Sequence, residues 1–258
     1  MFRGAVTETL TGIPILEFTA LVSGNRVTVS APGHITRETA IATATVDLIR
    51  DAAPFDLAFY RQLVRNAFEA PDSIQPLRRQ RQSPRVYVRT VDEAGAAIDA
   101  ATLRVVTDNI TARLIESLSG GAITLAALES GTDTRIGMPG WITVSWPTLE
   151  GRCGQATVGG DSIELVYSPS RCGDGRVGTF PKAVKHEVGH ALGFWHTDSQ
   201  NDLMFNARSG GNDFDNNPSA REQHHAAIAY ARPIGSADID VDPASTTSTA
   251  SRRMVVAD

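Results

Sequence analysis

The sequence predicts an α+β fold, a mixed twisted sheet backed by long helices and preceded by a small all-β sandwich. Three observations carry this expectation. Before residue 52, apolar and polar residues alternate with the period of a half-buried strand, as in "RVTVSAPGHITRETAIATATVDLI", where Pro32-Gly33 marks a turn. After residue 84, strand-like runs are interleaved with stretches whose apolar residues recur every three or four positions, the period of a helix face. Within that second region, "HEVGHALGFWH", residues 186–196, holds three of the chain's six histidines in a segment of helical character closed by a glycine.

Bulk composition narrows the function. The 258 residues suit one large domain, or a medium one with a smaller companion. A net charge of −5 without a basic face argues against binding to nucleic acid. No apolar run approaches the roughly 20 residues of a membrane-spanning helix. The N-terminus "MFRGAVTETL" lacks the apolar core and small-residue cleavage site of a secretory signal, so the chain is either intracellular or a mature or truncated form. The two cysteines favour the second option. Cys153 and Cys172 flank a segment that reads as a strand with turns on both sides. A disulfide there would close a loop of about 20 residues, worth roughly 3 kcal/mol through the unfolded state. Two buried thiols are the alternative, but a pair so close in sequence reads as a staple and points to an extracellular or cell-envelope compartment.

The elements follow in order. Residues 1–52 form the predicted sandwich, with His34 a surface residue beside its turn. A connecting helix is expected over 54–70, where Leu57, Tyr60, Val64 and Phe68 make one apolar face between Pro54 and Pro71. "PDSIQPLRRQRQSP" then reads as a basic linker to residue 83; Arg78, Arg79 and Arg81 form either a solvated run or a processing site. The second domain, 84–232, opens with the strand "RVYVRTVD" and continues into a long helix. Leu103, Val106, Ile110, Leu114 and Leu118 line that helix, and Gly120-Gly121 end it. "ITLAALE", "WITVSW" and "SIELVY" are further strands. The last helix runs from Ala220 to Ala231, opened by a capping box of Ser219 and Glu222. The tail, 233–258, is rich in Ser, Thr and Asp and is expected to be disordered.

The histidine segment carries the chemistry. On a helix, His186 and His190 stand one turn apart on one face, so two imidazole nitrogens can reach one ion. Val184, Val188 and Leu192 fall on the opposite side and anchor the helix in the core. Glu187 follows the first ligand, beside the metal without ligating it. Gly193 can stop the helix and swing His196 toward the same ion. Three neutral imidazoles with one exchangeable position describe catalytic zinc rather than structural zinc.

This segment matches the H-E-x-x-H-x-x-G-x-x-H signature of the metzincin metallopeptidases, and the chain resembles their matrixin branch over roughly residues 84–232. "NDLMFN" places Met204 eight residues past His196, as in the methionine turn of matrixins, and the terminal helix "PSAREQHHAAIAYARP" is similar to the one that closes their catalytic domain. The resemblance implies a zinc-dependent endopeptidase. His186, His190 and His196 would bind zinc, Glu187 would be the general base, and Met204 the floor beneath the ligands. A polypeptide substrate would lie extended along a strand edge near Gln155–Gly159. Two positions depart from the family. Asn206 stands where some metzincins carry a metal-facing tyrosine, and Thr197 where matrixins typically have serine. "SRCGDG" faintly resembles the cysteine switch of matrixin propeptides, so a thiolate ligand from Cys172 is the alternative to its disulfide. Residues 1–52 resemble the carboxypeptidase regulatory-like sandwich in "GAVTETLTGIPI…VTVSAPGHITRE…VDLI".

Two weaker expectations concern the same region. Asp213, Asp215 and Asn217 alternate in "GGNDFDNNPS", a spacing that suits either a structural Ca2+ or a polar specificity loop. His224 and His225 are adjacent on a helix and so diverge rather than form a metal pair. The rival to an enzyme is a catalytically silent zinc-containing protein that binds surfaces through the sandwich and tail.

Overall fold

A computed structural model of the chain describes residues 19–23, 25–40, 46–167, 178–205, 217–244 and 255–257. Its architecture is mixed α+β. The main sheet has the strand order β5 (Ala127–Gly131), β4 (Arg85–Arg89), β6 (Trp141–Ser145), β8 (Ser162–Leu165), β7 (Gly154–Thr157) and β9 (Val255–Ala257). β4 pairs in parallel with β5 on one side and β6 on the other, and β6 in turn pairs in parallel with β8. Covered strands of a parallel sheet have little use for polar alternation. Accordingly Val86, Tyr87 and Val88 are all buried, as are all five residues of β6.

The direction reverses at the edge. β7 (Gly154–Thr157) runs antiparallel to β8, with Ala156 opposite Ile163, and the turn between them contains Gly159 in the left-handed region. The two strands therefore form a hairpin where the sequence pattern pointed to one strand. Beyond β7 lies β9 (Val255–Ala257), again antiparallel.

The helices differ from expectation in instructive ways. α1 spans Leu57–Arg65, capped by the Asp56 side chain, and stops at Asn66, which adopts a left-handed conformation. Its buried face is Phe59, Tyr60, Leu63 and Val64, while Phe68 lies past the helix end and is 40% exposed. The long helix is two: α2 (Ala100–Asn109) and α3 (Ala112–Leu118). The apolar stripe runs through both, yet the Thr111 side chain accepts from the Leu114 N–H and starts a new helix, with Ile110 extended between them. A local cap here overrides an uninterrupted apolar period. α4 (Pro181–Leu192) carries the histidines and packs on β7 and β8, with α2 and α3 alongside. α5 (Ala220–Tyr230) has its capping box, Ser219 with Glu222.

Residues 53–83 are not a separate connector. One apolar cluster joins Ile49, Phe55, Phe59, Tyr60, Leu63, Val64 and Leu77 to Val86, Val144, Val188, Leu192 and Tyr230. α1 packs against α5, and the Arg221 guanidinium lies over the Phe59 ring at 4.0 Å. The basic run is partly buried as well. Arg79 donates to the Arg232 carbonyl through Nη2 at 2.8 Å and Nε at 3.1 Å.

The tail expectation fails over 233–244. Arg65, fully buried, donates to the carbonyls of Ser236 (2.6 Å) and Ile239 (3.0 Å), and Arg61 pairs with Asp238. Arg232 binds Asp240 through Nε (2.5 Å) and Nη2 (2.9 Å). Charge pairing, invisible to an apolar count, orders this stretch. It also ties in the N-terminal sheet of β1 (Thr19–Ser23), β2 (Arg26–Ser30) and β3 (Arg37–Ala40). Glu38 N donates to Asp240 O at 3.0 Å, and Arg37 pairs with the buried Asp242 at 2.9 Å. Among the described residues that N-terminal unit is a three-stranded antiparallel sheet, and residues 1–18 and 41–45 of the expected sandwich lie outside them.

Fully burying one large apolar side chain stabilises by roughly 1.5–3 kcal/mol, whereas a domain's net stability is about 5–15 kcal/mol. The seven core residues that precede residue 84 therefore contribute on the scale of the whole. A fragment of residues 84–232 should show no cooperative urea unfolding and no near-ultraviolet circular dichroism. A cooperative transition from that fragment would contradict the single core.

Candidate metal centre

α4 begins with Pro181 at its first position, where a missing N–H costs nothing. Val184, Val188 and Leu192 are buried on its core side, as their spacing predicts. The other end is buried too, so its last carbonyls need donors. All four find them. Gly189 O accepts from Phe194 N (3.1 Å), and His190 O from Gly193 N (2.8 Å) and Gly159 N (2.9 Å). Ala191 O accepts from Gln80 Nε2 (2.9 Å) and Leu192 O from the Tyr230 hydroxyl (2.9 Å). Burial pushes the Tyr230 pKa up, which keeps that hydroxyl a donor.

Gly193 ends the helix with φ +117°, and a Cβ there would lie 2.1 Å from the Arg78 carbonyl oxygen. Both the backbone angle and the close approach require glycine. The chain then turns back, held by Trp195 N donating to Leu63 O at 2.7 Å, and His196 arrives beside the helix.

His186, His190 and His196 come together with relative exposures of 3%, 0% and 0%. Each Nδ1 faces an acceptor: Leu203 O at 2.7 Å, Phe194 O at 2.7 Å and Glu69 Oε1 at 2.6 Å, respectively. Carbonyl and carboxylate oxygens only accept, so each Nδ1 donates, and in a neutral imidazole Nε2 is then the nitrogen that can ligate a metal. Ligand atoms of the three residues lie within 4.8 Å of one another, and the Nε2 atoms of His190 and His196 are 3.2 Å apart. Two nitrogens held tetrahedrally at 2.0–2.1 Å from one zinc sit about 3.4 Å apart. The trio can hold a metal ion, and its chemistry fits zinc.

Glu187 is 1% exposed and faces β7. A Cβ on Gly154 would lie 2.5 Å from Glu187 Oε1, so the bare backbone of that strand makes room for the carboxylate. Met204 is fully buried against the helix, where a Cβ on Gly189 would lie 2.3 Å from Met204 Sδ. The methionine turn is itself clamped. Glu222 Oε1 accepts from Met204 N (2.9 Å) and Oε2 from Leu203 N (3.1 Å), so the capping-box carboxylate of α5 also fixes the loop that binds His186. Burial raises the Glu222 pKa against the backbone donors that lower it.

Of the five residues expected to act together, His186, His190 and His196 converge, Met204 packs against Gly189 of the same helix, and the Glu187 carboxylate lies against Gly154 of β7. Four contributors carry no local sequence signal: Glu69 (127 residues from its histidine), Gly154, Gly189 and the second role of Glu222. The edge expected at Gln155–Gly159 lies beside α4, but β9 covers its outer side. Cys172, Asn206, Asp213 and Asp215 lie outside the described residues, and with them the Cys153–Cys172 bridge and the calcium loop. Asn217, which is described, accepts from Lys185 Nζ at 3.4 Å. His225 engages both ring nitrogens, with Asp56 N (2.9 Å) and Arg221 O (2.7 Å), so it forms no metal pair with His224. No helix among the described residues is long and apolar enough to cross a membrane. No protein-family model matches the chain, and no curated protein does.

A carboxylate on the far nitrogen of a metal-binding imidazole fixes its tautomer and strengthens its lone pair, and losing one typically costs 10- to 100-fold in affinity. Glu69→Gln should weaken zinc binding by about that factor in a competition titration against a chelator, with the melting temperature little changed. Unaltered affinity would remove Glu69 from the site.

Proposed function

We propose that the chain is a zinc-dependent endopeptidase with a metzincin-type, matrixin-like catalytic domain. One observation carries the reading: three buried imidazoles come close enough to share one ion, beside a helix turn that also carries the buried carboxylate of Glu187. A purely structural zinc site has four protein ligands, and among the described residues the cluster holds three. The element order lends support, since a strand, helices, further strands, the histidine helix, the methionine turn and a closing helix succeed one another as the resemblance implies.

His186, His190 and His196 would hold the ion through Nε2. When bound, zinc supplies Lewis acidity, which acidifies a water and polarises the carbonyl under attack. The rest falls to the protein. Glu187 takes the proton from the attacking water as its oxygen adds to the carbonyl carbon. As the C–N bond breaks, Glu187 returns that proton to the leaving amine. Gly154 leaves the carboxylate its place, and the Met204 side chain underlies the ligands. Glu69, Leu203 and Phe194 keep the three imidazoles in the ligating tautomer. β7 offers backbone groups to an extended polypeptide. An extracellular or cell-envelope location accompanies this reading through the expected cysteine bridge.

The test is hydrolysis of casein by the zinc-loaded full chain, beside Glu187→Ala and with a chelator. General-base catalysis typically contributes 10²–10⁴-fold, so Glu187→Ala should lose about that much while retaining one zinc per chain. A wild-type chain that takes up one zinc and cleaves nothing would leave the silent zinc-containing binding protein as the better description.

Gly154→Ala sharpens the assignment. Its Cβ displaces the Glu187 carboxylate, and misplacing a catalytic group by about 1 Å can cost around 100-fold in rate. The variant should lose activity on that scale with zinc stoichiometry intact. Undiminished turnover would mean that Glu187 is not held against β7 during catalysis.

A further inference from the structure

An exposed strand edge is a template for another strand, and proteins cover, charge or shorten such edges. β7 is the last strand of the core sheet, and its outer side is occupied by the chain's own residues Val255–Ala257. The register is antiparallel: Val255 opposite Thr157, Val256 opposite Ala156, Ala257 opposite Gln155.

Position gives this pairing its meaning. At one end of β7, Gly154 abuts the Glu187 carboxylate. Just beyond the other end, Gly159 N donates to His190 O. The strand therefore runs alongside one turn of the histidine helix, from the carboxylate to the second ligand. A segment antiparallel to it advances from Thr157 toward Gly154. Residues 255–257 thus advance toward the Glu187 end of β7, the course an extended polypeptide must take to present a bond there. The sequence "MVVAD" suits the task, with two β-branched residues in succession that favour an extended backbone.

We propose that residues 255–257 act as a tethered pseudo-substrate, adding a strand to β7 and competing with polypeptides for the same backbone groups. This deepens the endopeptidase reading and rests on it. A three-residue strand binds weakly on its own, but tethering raises its local concentration to the millimolar range. The plug is therefore displaceable, and its signature is a raised KM rather than a lowered kcat.

The test uses the zinc-loaded full chain and a Val255→Pro/Val256→Pro variant. Proline cannot donate to a ladder, and replacing adjacent residues removes a β7-facing N–H in either phase of the pairing. Hydrogen exchange over residues 154–158 reads the pairing without any turnover. We expect faster exchange in the variant, restored by a millimolar peptide of residues 251–258 added in trans. With a quenched fluorescent peptide as substrate, KM should fall about three- to tenfold with kcat unchanged. Exchange that the prolines leave unaltered would overturn the pairing. Exchange that responds while KM stays constant would overturn the competition. If exchange responds in a chain that hydrolyses nothing, the strand stands as a cover for β7, and both the pseudo-substrate role and the endopeptidase reading fall.

Discussion

A histidine can offer a metal only the nitrogen that is not already donating, and the structure turns on how that choice is imposed three times. The acceptors come from different parts of the chain. Phe194 belongs to the turn just after the histidine helix, Leu203 to the methionine turn, and Glu69 to the segment following α1. A tautomer costs little to change in water. Here each change would strand a donor or an acceptor in a buried place, at about 1–3 kcal/mol. The ligating geometry is thus a property of the packed chain rather than of the eleven-residue motif.

The same interdependence extends outward. Asp202 is buried and accepts from the hydroxyls of Thr197 (3.1 Å) and Ser219 (2.9 Å) and from the Arg221 guanidinium. It joins Thr197, the residue after His196, to the start of α5. Glu222 ties that helix start to the methionine turn. On the far side, Gln80 bridges Ala191 O and Gly160 O, fastening the end of α4 to the turn of the β7–β8 hairpin. Stretches that look like connectors thus supply the hydrogen bonds that hold the ligand-bearing elements in register.

Much of the site was legible because its signal is local. His186 and His190 share a face by helical geometry, Gly193 announces the helix end, and the Ser219–Glu222 box announces the next helix. The same holds for β4 and β6, whose apolar runs stand out. What stayed hidden depends on distance or on absence. Glu69 is an ordinary acid past a helix end until the fold brings it to His196. Gly154 and Gly189 matter for the side chain they lack, which no pattern reports before the neighbouring atoms are known. The break at Ile110–Thr111 went unseen because a capping threonine competes silently with an intact apolar stripe. Residues 233–244 read as tail because their order comes from ion pairs with Arg37, Arg61 and Arg232.

The long separation between Glu69 and His196 also bears on biosynthesis. The chain emerges at about 5–20 residues per second, so Glu69 precedes the imidazole it will hold by roughly 6–25 seconds. The carbonyl of Leu203 and the Glu222 carboxylate that clamps its loop leave the ribosome later still. The centre therefore matures after most of the chain has emerged, and a nascent form with His186 and His190 already helical lacks the complete set of ligands.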